Sequence, residues 1–176
     1  LVKREVVRVV TPGTVIENTL LTDTKNNYLG AVYIDGLNHA GVAFVDITTG
    51  KVSSTEFDGE DCIQKVINEL GTYAPSELLI SCEKSQLPEI EKYTYEKPST
   101  VMSFGESSRF DFATAKGYCA ECFGTDRADT LSSYRYATCA IGALFSYVIE
   151  TQKTDLSYIK ELDFYTDGKY VGLDFN

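Results

Sequence analysis

The 176-residue chain is short of bases, short of histidine and without a long apolar run. Sixteen Lys and Arg stand against twenty-six Asp and Glu, a net charge of −10. A surface of that sign repels phosphate, so nonspecific grip on a nucleic-acid backbone by these residues alone is disfavoured. No apolar stretch approaches the roughly 20 residues of a membrane span, and no signal-like N-terminus is present, so a cytoplasmic, membrane-free protein is expected. One histidine, His39, leaves too few imidazoles for a His-based metal site. Neither a Gly-x-Ser-x-Gly elbow nor a Gly-x-x-x-x-Gly-Lys-Ser/Thr phosphate loop occurs.

Five cysteines, Cys62, Cys82, Cys119, Cys122 and Cys139, are odd in number and widely spaced, which reads as reduced thiols, mostly buried. Cys119-Ala120-Glu121-Cys122 has zinc-knuckle or redox spacing. It lacks a second Cys pair or a His pair to complete four ligands, and both cysteines share an apolar helical stripe, so core packing is expected. His39, after Leu37-Asn38, reads as a solvated residue of a hairpin loop rather than a general base.

What is present is a globular composition, 43% apolar and 12% aromatic, enough for one domain with an appendage. Val2 to Val10 is a β-branched run stopped by Pro12-Gly13, with Lys3, Arg4 and Arg8 as solvated or interdomain charges. Beginning on a strand without a Met, the chain reads as a piece excised from something longer. Residues 11–27 are polar and loop-like. Tyr28 to Ile34 and Ala40 to Ile47 are apolar at both parities, as strands covered on two faces are, and Lys51 to Phe57 is a weaker, edge-like strand. Cys62, Ile63, Val66, Ile67 and Leu70 recur at helical spacing, with Asp58 expected as N-cap and Gly71 as stop. Glu77 to Cys82 reads as a buried strand.

Residues 87–106 are ambiguous, with a short helix over Pro88 to Lys92 and a strand over Tyr93 to Glu96 as the expectation. A helix follows with Phe112, Ala115, Cys119, Cys122 and Phe123 on one face, closed by Gly124, and then a longer one striped by Ala137, Ile141, Leu144, Phe145 and Val148 and ending at Thr151-Gln152-Lys153. Asp155 to Asp174 is expected to belong to an absent domain. The order of three antiparallel strands, helix and parallel strand predicts an α/β fold with a ribonuclease H-like mixed sheet flanked by helices, plus an extra helix from the next domain.

Five stretches carry a resemblance: KREVVRVVTPGT (3–14), NNYLGA (26–31), GVAFVDITTGK (41–51), AIGALFSYVIETQK (140–153) and Tyr170-Val171-Gly172-Leu173-Asp174. Nearly end to end, the chain resembles the connector domain of bacterial MutS mismatch-repair proteins. The resemblance implies a division into residues 1–27 leaving the mismatch-binding domain, 28–131 as connector, and 132–176 as the start of the core domain. It further implies a non-catalytic linker between mismatch recognition and an ATPase, with ATP and Mg held elsewhere in a parent that pairs as a homodimer on mismatched duplex DNA. The segment around Gly117 resembles the family helix that meets MutL, and places Thr114, Gly117, Tyr118 and Glu121 on the partner side. Gly117 is notable in its own right, because an exposed mid-helix glycine costs about 1 kcal/mol against alanine. Interdomain contacts are assigned to Arg4, Arg8, Gln152 and Lys153.

Two other readings compete. A metal-dependent nuclease on the same fold would use Asp35, Asp46 and Glu83, and needs them to converge on ions about 4 Å apart. A MutS paralogue devoted to another DNA process would share the fold and the motifs.

Overall fold

A computed structural model of the chain describes residues 27–152, 156–157, 159, 161–166 and 169–170. Strands β1 (Tyr28–Asp35), β2 (His39–Asp46) and β3 (Lys51–Asp58) form the expected antiparallel meander. Gly36 turns the first hairpin at φ +68°, a backbone angle that favours glycine. In the second connection the Asp46 carboxylate accepts from the Thr48 N–H at 2.9 Å and its hydroxyl at 2.6 Å.

Helix α1 (Cys62–Tyr73) then crosses to β4 (Glu77–Ile80), which lies parallel to β1. Its ends differ from the sequence expectation. Asp58 completes β3, and Asp61 occupies the N-cap position. At the other end the helix runs through Gly71 to Tyr73, because that extra turn stacks the Tyr73 ring on Phe44 at 4.1 Å, and Ala74 closes it in the left-handed region at φ 45°.

Helix α2 covers Pro88–Glu96, so the strand expected over Tyr93 to Glu96 is instead the last turn of a helix. Ile90 and Tyr93, three apart, are both buried, and the Tyr93 hydroxyl donates to the Leu70 carbonyl at 3.4 Å. The strand of this region is β5 (Val101–Phe104), parallel to β4. Helices α3 (Phe112–Phe123), α4 (Thr125–Leu131) and α5 (Arg135–Gln152) follow. The chain then returns to the sheet as β6 (Glu161–Thr166), parallel to β3, and β7 (Lys169–Tyr170).

The sheet order is β5-β4-β1-β2-β3-β6-β7. Its first five strands have the ribonuclease H-like arrangement: a meander with two parallel strands added on the β1 side. Two cores result. On one face Val32, Val42, Phe44, Leu78 and Ile80 meet Val66, Leu70 and Ile90 of α1 and α2. On the other, Leu29, Ala31, Ala43, Val45 and Leu79 meet Ile141, Leu144 and Phe145 of α5, with Cys119 and Phe123 of α3 behind. Burial on both faces explains why β1 and β2 are apolar at both parities.

The longer helix expected to open the next domain therefore packs on this sheet. So does β6, from the stretch assigned to an absent domain. Leu162 and Phe164 join the α5 core, while the Tyr165 hydroxyl, on the opposite face, donates to Glu69 of α1 at 2.6 Å. Tyr147 of α5 donates to the buried Glu77 carboxylate at the start of β4. The reason is chemical: an apolar helix face and a strand with alternating apolar residues must be covered, and this sheet offers both the face and the edge. Among the described residues no helix is long and apolar enough to cross a membrane.

Candidate partner-binding helix

Helix α3 starts on Asp111, whose carboxylate accepts from the Thr114 N–H at 2.9 Å and the Thr114 hydroxyl at 2.8 Å. These two bonds, the backbone one first, hold the Asp111 carboxyl below its ordinary value. At the far end Gly124, at φ 92°, donates its N–H to the Ala120 carbonyl and turns the chain into α4. Lys116 pairs with Asp129 of α4 at 3.4 Å.

The inner side of α3 carries Ala115, Cys119 and Phe123, all buried. Ala115 sits against Gly142 of α5 so closely that a Cβ on Gly142 would lie 2.2 Å from the Ala115 Cβ. That contact brings the two helix backbones together and turns the opposite side of α3 outward. Thr114, Gly117, Tyr118 and Glu121 are spaced i, i+3, i+4, i+7 and form that outer stripe. Thr114, Gly117 and Glu121 are exposed; Tyr118 is half-buried, its ring resting against the core. Beyond the backbone of its own helix turn, a Cβ at Gly117 would meet nothing within 4 Å, so packing inside the domain gives no reason for glycine.

The structure brings the four residues expected on the partner side onto one face of α3, and the Thr114 hydroxyl is already engaged at the helix cap. Of the interdomain residues, Gln152 ends α5, and Arg4, Arg8 and Lys153 lie outside the described residues.

The cysteines of α3 behave as packing groups. Cys119 is buried and Cys122 half-buried; both are free, and burial pushes each thiol up to about 12. Among the described residues no cluster of three or more His, Cys, Asp or Glu is placed to hold a metal ion. The acids of the nuclease reading do not converge. Asp35 pairs with His39 at one end of the β1–β2 hairpin, while Asp46 pairs with Tyr28 at the other. Seven residue steps at about 3.4 Å separate those ends by about 24 Å. Glu83 stands at the Asp35 end, its carboxylate against Gly105. The crevice at the carboxyl ends of β1 and β4, about 640 Å³, is lined by Tyr33, Ile34, Leu37, Ser81, Cys82, Leu87 and neighbours, none of them charged.

His39 is the first residue of β2 rather than part of the loop. Its Nδ1 lies 2.6 Å from the Asp58 carboxylate, and its ring stacks on Tyr136 of α5 at 5.0 Å. Beside it is a constellation that sequence reasoning missed. Glu56 of β3 accepts from the Tyr136 and Ala137 N–H groups at 3.1 and 3.2 Å, and Gly41 lies opposite Glu56 across the ladder. The available signal was a glycine inside a strand, which often marks the close approach of another backbone.

The family model described as MutS domain II matches residues 27–160, from the start of β1 to just before β6. The DNA mismatch repair protein MutS of Ruminiclostridium cellulolyticum is 36% identical over 174 residues, which cover 99% of this chain and 20% of that protein. The MutS proteins of Acetivibrio thermocellus and Methanococcoides burtonii are 33% and 31% identical over 176 residues, again 99% of this chain and 20% of each relative. The chain thus spans about a fifth of the length of these curated relatives. A ribonuclease H-like sheet, a family match over most of the chain and relatives above 30% identity across 99% of it lead to one conclusion: the chain belongs to the MutS domain II family.

Proposed function

We propose that this domain is the non-catalytic connector of a DNA mismatch-repair protein, linking mismatch recognition to the core and ATPase domains and presenting the outer face of α3 to MutL. The observation that carries the reading is the stripe Thr114, Gly117, Tyr118 and Glu121, turned outward by the close α3–α5 packing and bare at Gly117. A glycine with open space above it lets another backbone approach, which is a use for a residue that nothing inside the domain requires.

The whole protein would bind mismatched duplex DNA as a homodimer in the cytoplasm and hold ATP and Mg through other domains. The acidity of this segment fits a linker that leaves phosphate to them. Residues 1–27 would leave the mismatch-binding domain. Because α5 covers one face of this sheet and β6 extends its β3 edge, we place the start of the core domain after β6 rather than at residue 132.

Calorimetry with a purified MutL N-terminal domain tests the reading. Saturable binding, abolished by Gly117→Arg and weakened by Tyr118→Ala, is the expected result. Absence of binding up to high micromolar concentration, in this chain and in a full-length protein alike, sinks it.

A further inference from the structure

We propose that Glu56 and Gly41, facing each other across β2 and β3, form a seat that fixes the first turn of α5 on the sheet and through it sets the orientation of α3. The opening N–H groups of a helix have no acceptor within it. Two of these in α5, from Tyr136 and Ala137, donate to Glu56 Oε1 at 3.1 and 3.2 Å, from a strand some eighty residues earlier in the chain. The partner position in the ladder must be vacant for this to happen: a Cβ on Gly41 would lie 2.0 Å from the Tyr136 carbonyl oxygen. One residue supplies the acceptor and the other removes the obstacle.

The same turn reaches α3. Arg135, the first residue of α5, lays its guanidinium over the ring of Phe112, the first residue of α3, at 4.5 Å. Tyr136 stacks on Tyr33 of β1 at 6.2 Å, and Tyr33 on Phe110, in the turn before α3, at 5.8 Å. The N-terminal ends of both helices thus meet over the seat, and the Gly142–Ala115 contact holds them together further along. Glu56 is therefore a positioning residue for the outer stripe. The regulatory consequence, that changes at the seat tune partner binding, rests on the proposed function; the structural coupling does not.

The titratable and charged groups around the seat are His39 and Asp58 at the ends of β2 and β3, Asp35 in the first hairpin, and Arg135. Burial raises the Glu56 carboxyl above its ordinary value, against the pull of the two N–H bonds.

The test is amide NMR on the full 176-residue chain. In the Glu56→Ala variant, exchange at Tyr136 and Ala137 should rise about tenfold, as for a lost cap, and the amide shifts of residues 112–118 should move; Glu56→Gln, which keeps the acceptor, should restore both. In the unmodified chain the Tyr136 and Ala137 amides should titrate with Glu56, and those of 112–118 should show, beside the transition of their own cap Asp111, a second component at that same midpoint, which Glu56→Gln abolishes. If Glu56→Ala does not fold, this titration decides. Flat α3 amides across the Glu56 titration, or a Gln variant that behaves like Ala, overturn the proposal. Failure of MutL binding alone would count against the proposed function and leave these amide results standing.

Discussion

Three glycines of this domain divide into two kinds of place. Gly41 and Gly142 lie inside the sheet–α5–α3 stack, where a single added carbon would sit 2.0 Å and 2.2 Å from its nearest neighbour. Gly117 lies on the outside of the same stack, with nothing within 4 Å. The inner two set the distance between backbones; the outer one weakens its helix and receives nothing from its own domain in return. A sequence shows only a glycine inside a regular element in all three cases. Which constraint applies depends on what the fold brings opposite.

The comparison can be broken most severely at the core the inner glycines serve. Phe145, fully buried between α5 and the sheet, should cost about 3–5 kcal/mol as Phe145→Ala in urea unfolding, the loss expected for a large aromatic in a packed core. Gly41→Ala and Gly142→Ala should follow at about 1–3 kcal/mol each. Their added methyl meets backbone at Tyr136 and the Ala115 Cβ, neither of which can rotate away. Gly117→Ala should do the opposite and stabilise by up to about 1 kcal/mol through helix propensity alone. A destabilising Gly117→Ala would erase the contrast between inner and outer positions.

The smallest effect is expected at Glu56, and it sharpens the comparison by pH. A carboxyl whose value is raised on folding contributes stability that is present at low pH and is lost as pH rises through the folded-state value. The unmodified chain should therefore lose a little stability relative to Glu56→Gln as pH climbs above the ordinary carboxylate range, other groups such as Asp111 contributing equally to both. Unfolding curves at pH 4 and pH 7 should show the Gln variant gaining on the unmodified chain at the higher pH. A Gln variant that loses ground to the unmodified chain as pH rises would mean that the charge–dipole attraction at the helix start outweighs burial.

Local pattern in the amino-acid sequence was sufficient for the meander, for α1, for β4 and for the apolar stripes of α3 and α5. Double-sided apolar runs and i, i+3, i+4 spacing are consequences of being covered on two faces or on one. The outer stripe of α3 was legible for the same reason, since a helix that buries Ala115, Cys119 and Phe123 must turn Thr114, Gly117 and Glu121 away. The family, too, was legible in the amino-acid sequence, and the family match over residues 27–160 agrees with it.

What only the tertiary structure decided involves partners far apart in the chain. Tyr93 reads equally as strand or helix, and its burial against α1 at Leu70 settles it. Nothing local in residues 161–166 says that they will pair with Lys51 to Ser54, yet the open edge of β3 and the uncovered flank of α5 draw them in. Glu56 looks like a surface acid on an edge-like strand until α5 lands above it, and Gly41 looks incidental until Tyr136 arrives. Local propensity is a property of neighbouring residues, whereas a seat, an edge pairing and a close helix crossing exist only once distant backbones are brought within a few ångströms of each other.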